Sequence, residues 1–105
     1  LPDRNRVERT IFSAIDDVNG LLLPAQRLTK SPETALMGDQ SALDSLGLVN
    51  LIVAVERRVE EAFGVNLVLV DQESMSLKES PFKKIGTLVD YTKNLLDKKL
   101  NRVAP

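Results

Sequence analysis

Leu43-Asp44-Ser45-Leu46 is the stretch on which the reading of this chain turns. It stands where a polar loop, Met37-Gly38-Asp39-Gln40-Ser41, gives way to a long run of apolar residues at helical spacing. A short acid or hydroxyl at such a junction serves as an N-cap, because its oxygen accepts from the free N–H groups of the first turn. Two such residues stand side by side here, and one suffices. Asp44 is the better cap, which leaves Ser45 at the helix start with its hydroxyl free. A helix N-terminus also favours an attached phosphate, since free N–H groups and the helix dipole stabilise negative charge there.

The helix that follows is expected over residues 45–62 and stops at Phe63-Gly64. At about 100° per residue, one broad face collects Leu48, Leu51, Ile52, Val55, Val59, Ala62 and Phe63, and this is the core stripe. It leaves Leu46, Val49 and Val53 on the other side, among Asn50, Glu56, Arg57 and Glu60. A helix apolar on two faces is either central to a bundle or carries a partner surface. The flanking charges need solvent, so the strip reads as an apolar patch with a charged border.

Upstream, a first helix is expected over residues 4–19, started by Pro2-Asp3. Val7, Ile11, Ile15 and Val18 fall on one face, and Asn19-Gly20 ends it with a glycine suited to the left-handed cap. Residues 21–43 form a long connection broken by Pro24, Pro32 and Gly38. Ser31-Pro32-Glu33 is expected to open one helical turn. Leu22, Leu28, Leu36 and Met37 are expected to pin this loop to the core.

Downstream, residues 65–70 alternate like a strand, but a lone strand has nothing to pair with, so an extended loop is expected. A short third helix is expected over 72–78, with Met75 and Leu77 as apolar contacts. The last helix is expected over 86–100, with Thr87 as N-cap and Asp90 completing a capping box. Leu88, Tyr91, Leu95 and Leu96 supply its stripe. These elements make an all-α, single-domain, four-helix bundle of three longer helices, a short third helix and a long first loop.

With 105 residues the chain holds one domain, and 43% hydrophobic and 28% charged residues are ordinary for a globular protein. A net charge of -1 gives no reason to expect a nucleic-acid partner. No apolar run approaches the ~20 residues of a membrane span, and no signal peptide is visible, so a cytoplasmic location is expected. The terminal Lys93, Lys98, Lys99 and Arg102 suit a helix C-terminus. The chain contains no Cys and no His. Thiol nucleophiles, disulfides, Ser-His-Asp chemistry and the usual zinc sites are therefore excluded. It opens on Leu1 rather than Met, as expected of a processed chain or a piece of a longer one.

Asp44-Ser45-Leu46 resembles the Asp-Ser-Leu motif of acyl carrier proteins. The surroundings are similar too: Ala42-Leu43 before it, Gly47-Leu48-Val49-Asn50-Leu51 after it, and a helix closed by Phe63-Gly64-Val65. Residues 81–91, Pro-Phe-Lys-Lys-Ile-Gly-Thr-Leu-Val-Asp-Tyr, are similar to the family's entry into its last helix. The resemblance covers nearly the whole chain. It implies an acyl-carrier-like bundle in which Ser45 bears 4'-phosphopantetheine, derived from coenzyme A, through a phosphodiester. The arm would bring the thiol that a Cys-free chain lacks. The protein would then be a non-catalytic carrier, expected to be monomeric. A phosphopantetheinyl transferase would modify it, a ligase or transferase would load it, and a ketosynthase or other synthase enzymes of fatty-acid, polyketide or related synthesis would use it.

The roles implied are residue-specific. Asp44 would cap the helix and orient Ser45. Leu46, Val49 and Val53 match apolar docking positions, with Asn50 among them, and Glu56 and Glu60 would offer acidic contacts to basic partners. Three features depart from the free-standing carriers of fatty-acid synthesis. Net charge is only -1, Arg57 and Arg58 stand where that group is mostly acidic, and the helix has about one extra turn before Phe63. They point to a dedicated ligase or synthase as partner, with Arg57 on the docking face. Two other readings of the same residues are a cofactor-free helical interaction module, with Ser45 only a cap, and a peptidyl carrier domain loaded with an amino acid.

Overall fold

A computed structural model describes residues 3–103, apart from the side chains of Glu73 and of residues 101–103. The start signal Pro2 and the side chain of Arg102 lie outside that range. The elements in order are α1 (Arg4–Asn19), a 3-10 turn (Pro24–Gln26), α2 (Ser45–Phe63), α3 (Gln72–Ser76) and α4 (Ile85–Val103). Among the described residues there is no strand, only an isolated bridge between Ala35 and Lys84. The fold is a small all-helical bundle, and no described helix is long and apolar enough to cross a membrane.

α1 starts where the spacing places it. The Asp3 carboxylate accepts the Arg6 N–H at 2.7 Å, and Val7, Ile11, Ala14, Ile15 and Val18 are buried. Its end differs from expectation: Gly20 has φ −62° and is right-handed. The chain leaves through two tighter turns, Leu21 N–H to Val18 O and Leu22 N–H to Asn19 O. The left-handed glycine cap occurs at the end of α2, where Gly64 has φ 66° and donates to Glu60 O.

α1 and α2 pack antiparallel. Near the start of α1, the Arg6 guanidinium donates to Ala62 O at 2.6 Å and stands 4.4 Å over the Phe63 ring. Near its end, Asp17 takes two hydrogen bonds from Arg58, at 2.7 and 2.8 Å. The hydrogen bond from Arg58 holds the Asp17 carboxyl below the usual carboxylate range, burial opposing it and the charges of Arg58 and Arg57 adding to it. A lowered folded-state pKa stabilises the fold above the unfolded Asp pKa of about 3.9. That contribution is lost as pH falls through the folded value. The Tm difference between the native chain and Asp17→Asn is therefore expected to be widest near neutrality and to close as thermal melts are moved into acid.

The long connection is held at two places. The Asn19 side chain clasps Leu28, accepting its N–H at 2.7 Å and donating to its carbonyl at 2.9 Å. Leu28 and Leu36 are buried and Leu22 packs on the core, whereas Met37, expected to pin the loop, is exposed. A 3-10 turn lies at Pro24–Gln26, and at Pro32 the chain makes one hydrogen-bonded turn, Thr34 N–H to Ser31 O at 3.1 Å, without forming a helix. Pro32 instead gives its carbonyl to the Gly86 N–H at 2.8 Å, and Thr34 O takes the Ile85 N–H at 3.0 Å. The loop thus satisfies donors at the start of α4, a service usually left to a cap.

That explains the misplaced start of α4. The helix begins at Ile85, so Thr87 lies inside the first turn, where its Oγ1 accepts the Lys84 N–H at 3.1 Å. Asp90 takes no part in a cap and meets Arg4 at 3.0 Å. Residues 65–70 are extended and unpaired as a strand, with Leu67 and Leu69 buried. α3 is capped by Asp71, whose carboxylate accepts the Ser74 N–H while Ser74 Oγ accepts the Asp71 N–H. Met75 and Leu77, expected as apolar contacts, are exposed at 75% and 45%.

Candidate functional site

The site is built at the start of α2. Ser41 Oγ accepts the Leu43 N–H at 3.0 Å and fixes the approach. Asp44 is then extended, with φ −84° and ψ −176°, and its carboxylate accepts the Gly47 N–H at 2.7 Å. Its carbonyl takes the Leu48 N–H at 3.0 Å. Gly47 allows this closeness: a Cβ there would lie 3.1 Å from the Leu43 side chain and 3.2 Å from the Asp44 carboxylate. Asp44→Ala is expected to cost about 1 kcal/mol of stability in denaturant titrations, because the cap is a single side chain.

Ser45 is the first helical residue and is exposed. Its hydroxyl bonds to none of the described residues. With the Gly47 and Leu48 N–H groups taken by Asp44, those of Ser45 and Leu46 are left at the positive end of the dipole. The division expected from the sequence, cap on Asp44 and free hydroxyl on Ser45, is the division found.

Two apolar surfaces flank this hydroxyl. On one side Leu46, Val49 and Val53 are 68%, 53% and 54% exposed, so they form a solvent-facing strip and not a second core face. Asn50, Arg57 and Glu60 are exposed beside them. Glu56 is placed differently: it is half-buried, and its Oε2 accepts the Leu69 N–H at 2.9 Å, tying the extended stretch to α2. On the other side, a depression of about 150 Å³ next to Ser45 is bounded by Met37, Leu43 and Leu48. It shares Met37 and Leu48 with a larger groove of about 490 Å³.

Ile52 and Phe82 lie along that groove, with Val70, Met75 and Leu77 at its edges. Met75 and Leu77 are exposed because they border a groove instead of filling the core. Sequence reasoning did not gather these residues into one feature. Leu48 and Ile52 come from the α2 core stripe, and Met37, Val70, Met75, Leu77 and Phe82 share only the signal of being apolar outside the helical stripes. Leu21 is another residue it did not select, 79% exposed beside Val53.

Among the described residues, no three of His, Cys, Asp and Glu are grouped to hold a metal ion. No family model, no curated protein and no solved structure matches this chain.

Proposed function

We propose that this protein is a carrier of the acyl carrier type, bearing 4'-phosphopantetheine on Ser45. Exposure of an unbonded Ser45 hydroxyl at a helix start, with the cap already supplied by Asp44, is the observation that carries the reading. A hydroxyl meant only to cap would be bonded to the first-turn amides. The residues suit the group: a phosphodiester on Ser45 would lie at the positive end of α2, near the N–H groups of Ser45 and Leu46.

Attachment is a phosphoryl-group transfer. Ser45 Oγ attacks the β-phosphorus of coenzyme A, the new O–P bond forms, and the pyrophosphate bond breaks. The adenosine 3',5'-bisphosphate leaves, and the hydroxyl proton goes to a base of the phosphopantetheinyl transferase. Bound arm supplies the thiol that holds cargo as a thioester. This chain's residues present the arm: Asp44 fixes the turn, and Leu46, Val49 and Val53 offer a face for the transferase and synthase enzymes.

The groove favours an acyl cargo over an aminoacyl one. Its lining is mostly Met, Leu, Ile, Val and Phe, and Ser74 within it is already bonded to Asp71. An aliphatic chain buried there gains roughly 0.8 kcal/mol per CH₂, whereas an ammonium group would find no described acid lining it.

Incubation with coenzyme A and a broad-specificity transferase tests the proposal. The expected result is a gain of about 340 Da, the mass of the arm. No gain with several transferases would favour the cofactor-free interaction module.

A further inference from the structure

The chain has two Met and no Cys, so its only sulfur atoms are two thioethers. Both border the apolar groove, and both are exposed. They come from separate elements and stand in different places. Met75 projects from α3 at the outer edge of the groove. Met37 lies at a junction: it and Leu48 bound both the depression beside Ser45 and the groove itself. An aliphatic chain leading from Ser45 into the groove passes between these two side chains.

Met37 is held at that junction. The Leu36 N–H donates to Lys83 O at 2.8 Å, and the Lys83 N–H donates to Ser80 O at 3.3 Å, so the loop is tied to the turn at residues 80–83. Within that turn the Ser80 hydroxyl accepts the Phe82 N–H at 3.2 Å and donates to Met37 Sδ at 3.4 Å.

We propose that Met37 is a modification site for hydroperoxides, and that its sulfoxide closes the passage from Ser45 into the groove. The proposal rests on the carrier reading for the identity of the chain that uses the passage. A lone pair of Met37 Sδ attacks the hydroxyl oxygen of the peroxide, the S–O bond forms and the O–O bond breaks. The proton of the transferred oxygen goes to the departing one, which leaves as water or an alcohol. Sulfur is oxidised by two electrons and the peroxide is reduced by two. A flexible apolar group thereby becomes a polar one. The new oxygen is a strong acceptor beside the Ser80 hydroxyl and open to water. An aliphatic chain must then strip water from it to enter the groove, which opposes entry. Met75 lies off this route, so its oxidation leaves the passage open. Neither sulfur belongs to the core, which is built mainly of Leu, Ile and Val, so the fold survives both oxidations.

The test tethers an aliphatic chain without any transferase, which separates failure here from failure of the mass assay. The full-length Ser45→Cys chain, labelled with ¹⁵N, carries a single thiol, and alkyl methanethiosulfonates attach a decyl or a methyl group to it as a disulfide. Amide shifts of Ile52, Leu77 and Phe82 that distinguish the decyl from the methyl adduct report a seated chain. Hydrogen peroxide is expected to add about 32 Da, two oxygen atoms, with the helical circular dichroism unchanged. The ratio of seated to free decyl chain is expected to fall about fivefold. The same treatment of Met75→Leu, compared with itself before peroxide, should give the same fall. Met37→Leu, compared in the same way, should give none. A decyl chain that is not seated before oxidation, a ratio indifferent to peroxide, a fall that follows Met75 instead of Met37, or loss of helical signal on oxidation would overturn the proposal.

Discussion

Leu69→Ala is expected to lower the unfolding free energy by about 2–5 kcal/mol, while Val68→Ala, one residue away, should change it by less than about 0.5 kcal/mol. Both residues lie in an extended stretch with no strand partner. Leu69 is fully buried and Val68 is 65% exposed. Truncating Leu69 removes three carbons from the core and leaves a space that neighbouring side chains fill only in part. The stretch is also held by the buried Leu67 and by the Glu56 carboxylate on the Leu69 N–H, so its backbone resists collapse into that space. Urea titrations followed by circular dichroism give both values, with an unchanged slope identifying a change in stability rather than in compactness. Equal effects at the two positions would mean that the stretch is not seated as described.

Ser45→Ala is expected to abolish uptake of the arm while leaving the fold intact. The loss should be complete, because no second nucleophile at the site replaces the hydroxyl: Asp44 is committed to the Gly47 N–H, and Ser41 accepts from Leu43. Stability should change by less than about 0.5 kcal/mol, since the site is exposed and its hydroxyl is unbonded. Asp44→Ala is the opposite case, a loss of stability with the nucleophile retained. The two variants separate the cap from the attachment point, and a Ser45→Ala chain that lost a full cap's worth of stability would return Ser45 to a structural role.

The parts of the fold legible in the sequence are those whose information is local. The stripe Val7, Ile11, Ile15 and Val18 and the cap on Asp3 both lie within a few residues of one another, and α1 has the expected bounds. The same holds for α2, where Asp44 opens the helix and Gly64 closes it. What was misplaced depends on distant partners. The start of α4 is set by carbonyls of Pro32 and Thr34, more than fifty residues upstream, so Thr87 looked like a cap only because those acceptors were invisible. The identity of Gly20 suggests a left-handed turn, whereas the chain has a second way out of the helix through the Leu21 and Leu22 N–H groups.

The site divides in the same way. Ser45, Asp44 and the exposed strip follow from helical angle and from which apolar residues the core does not need. Glu56 did not, because its use by Leu69 depends on how the extended stretch crosses α2. The groove, and a cleft between the end of α1 and the middle of α2, are made by residues from separate elements, Met37 with Met75 and Leu21 with Val53. Periodicity reports which face of one helix is apolar and carries no information about the space between two.

The central claim is that the free hydroxyl of Ser45 is an attachment point. Intact-protein mass spectrometry after incubation with coenzyme A and transferase, followed by fragmentation to locate the adduct, tests it most directly. The account predicts one addition of about 340 Da, confined to the fragment containing Ser45 and missing from Ser45→Ala. An unmodified mass with several transferases, or an adduct that survives in Ser45→Ala, would contradict it.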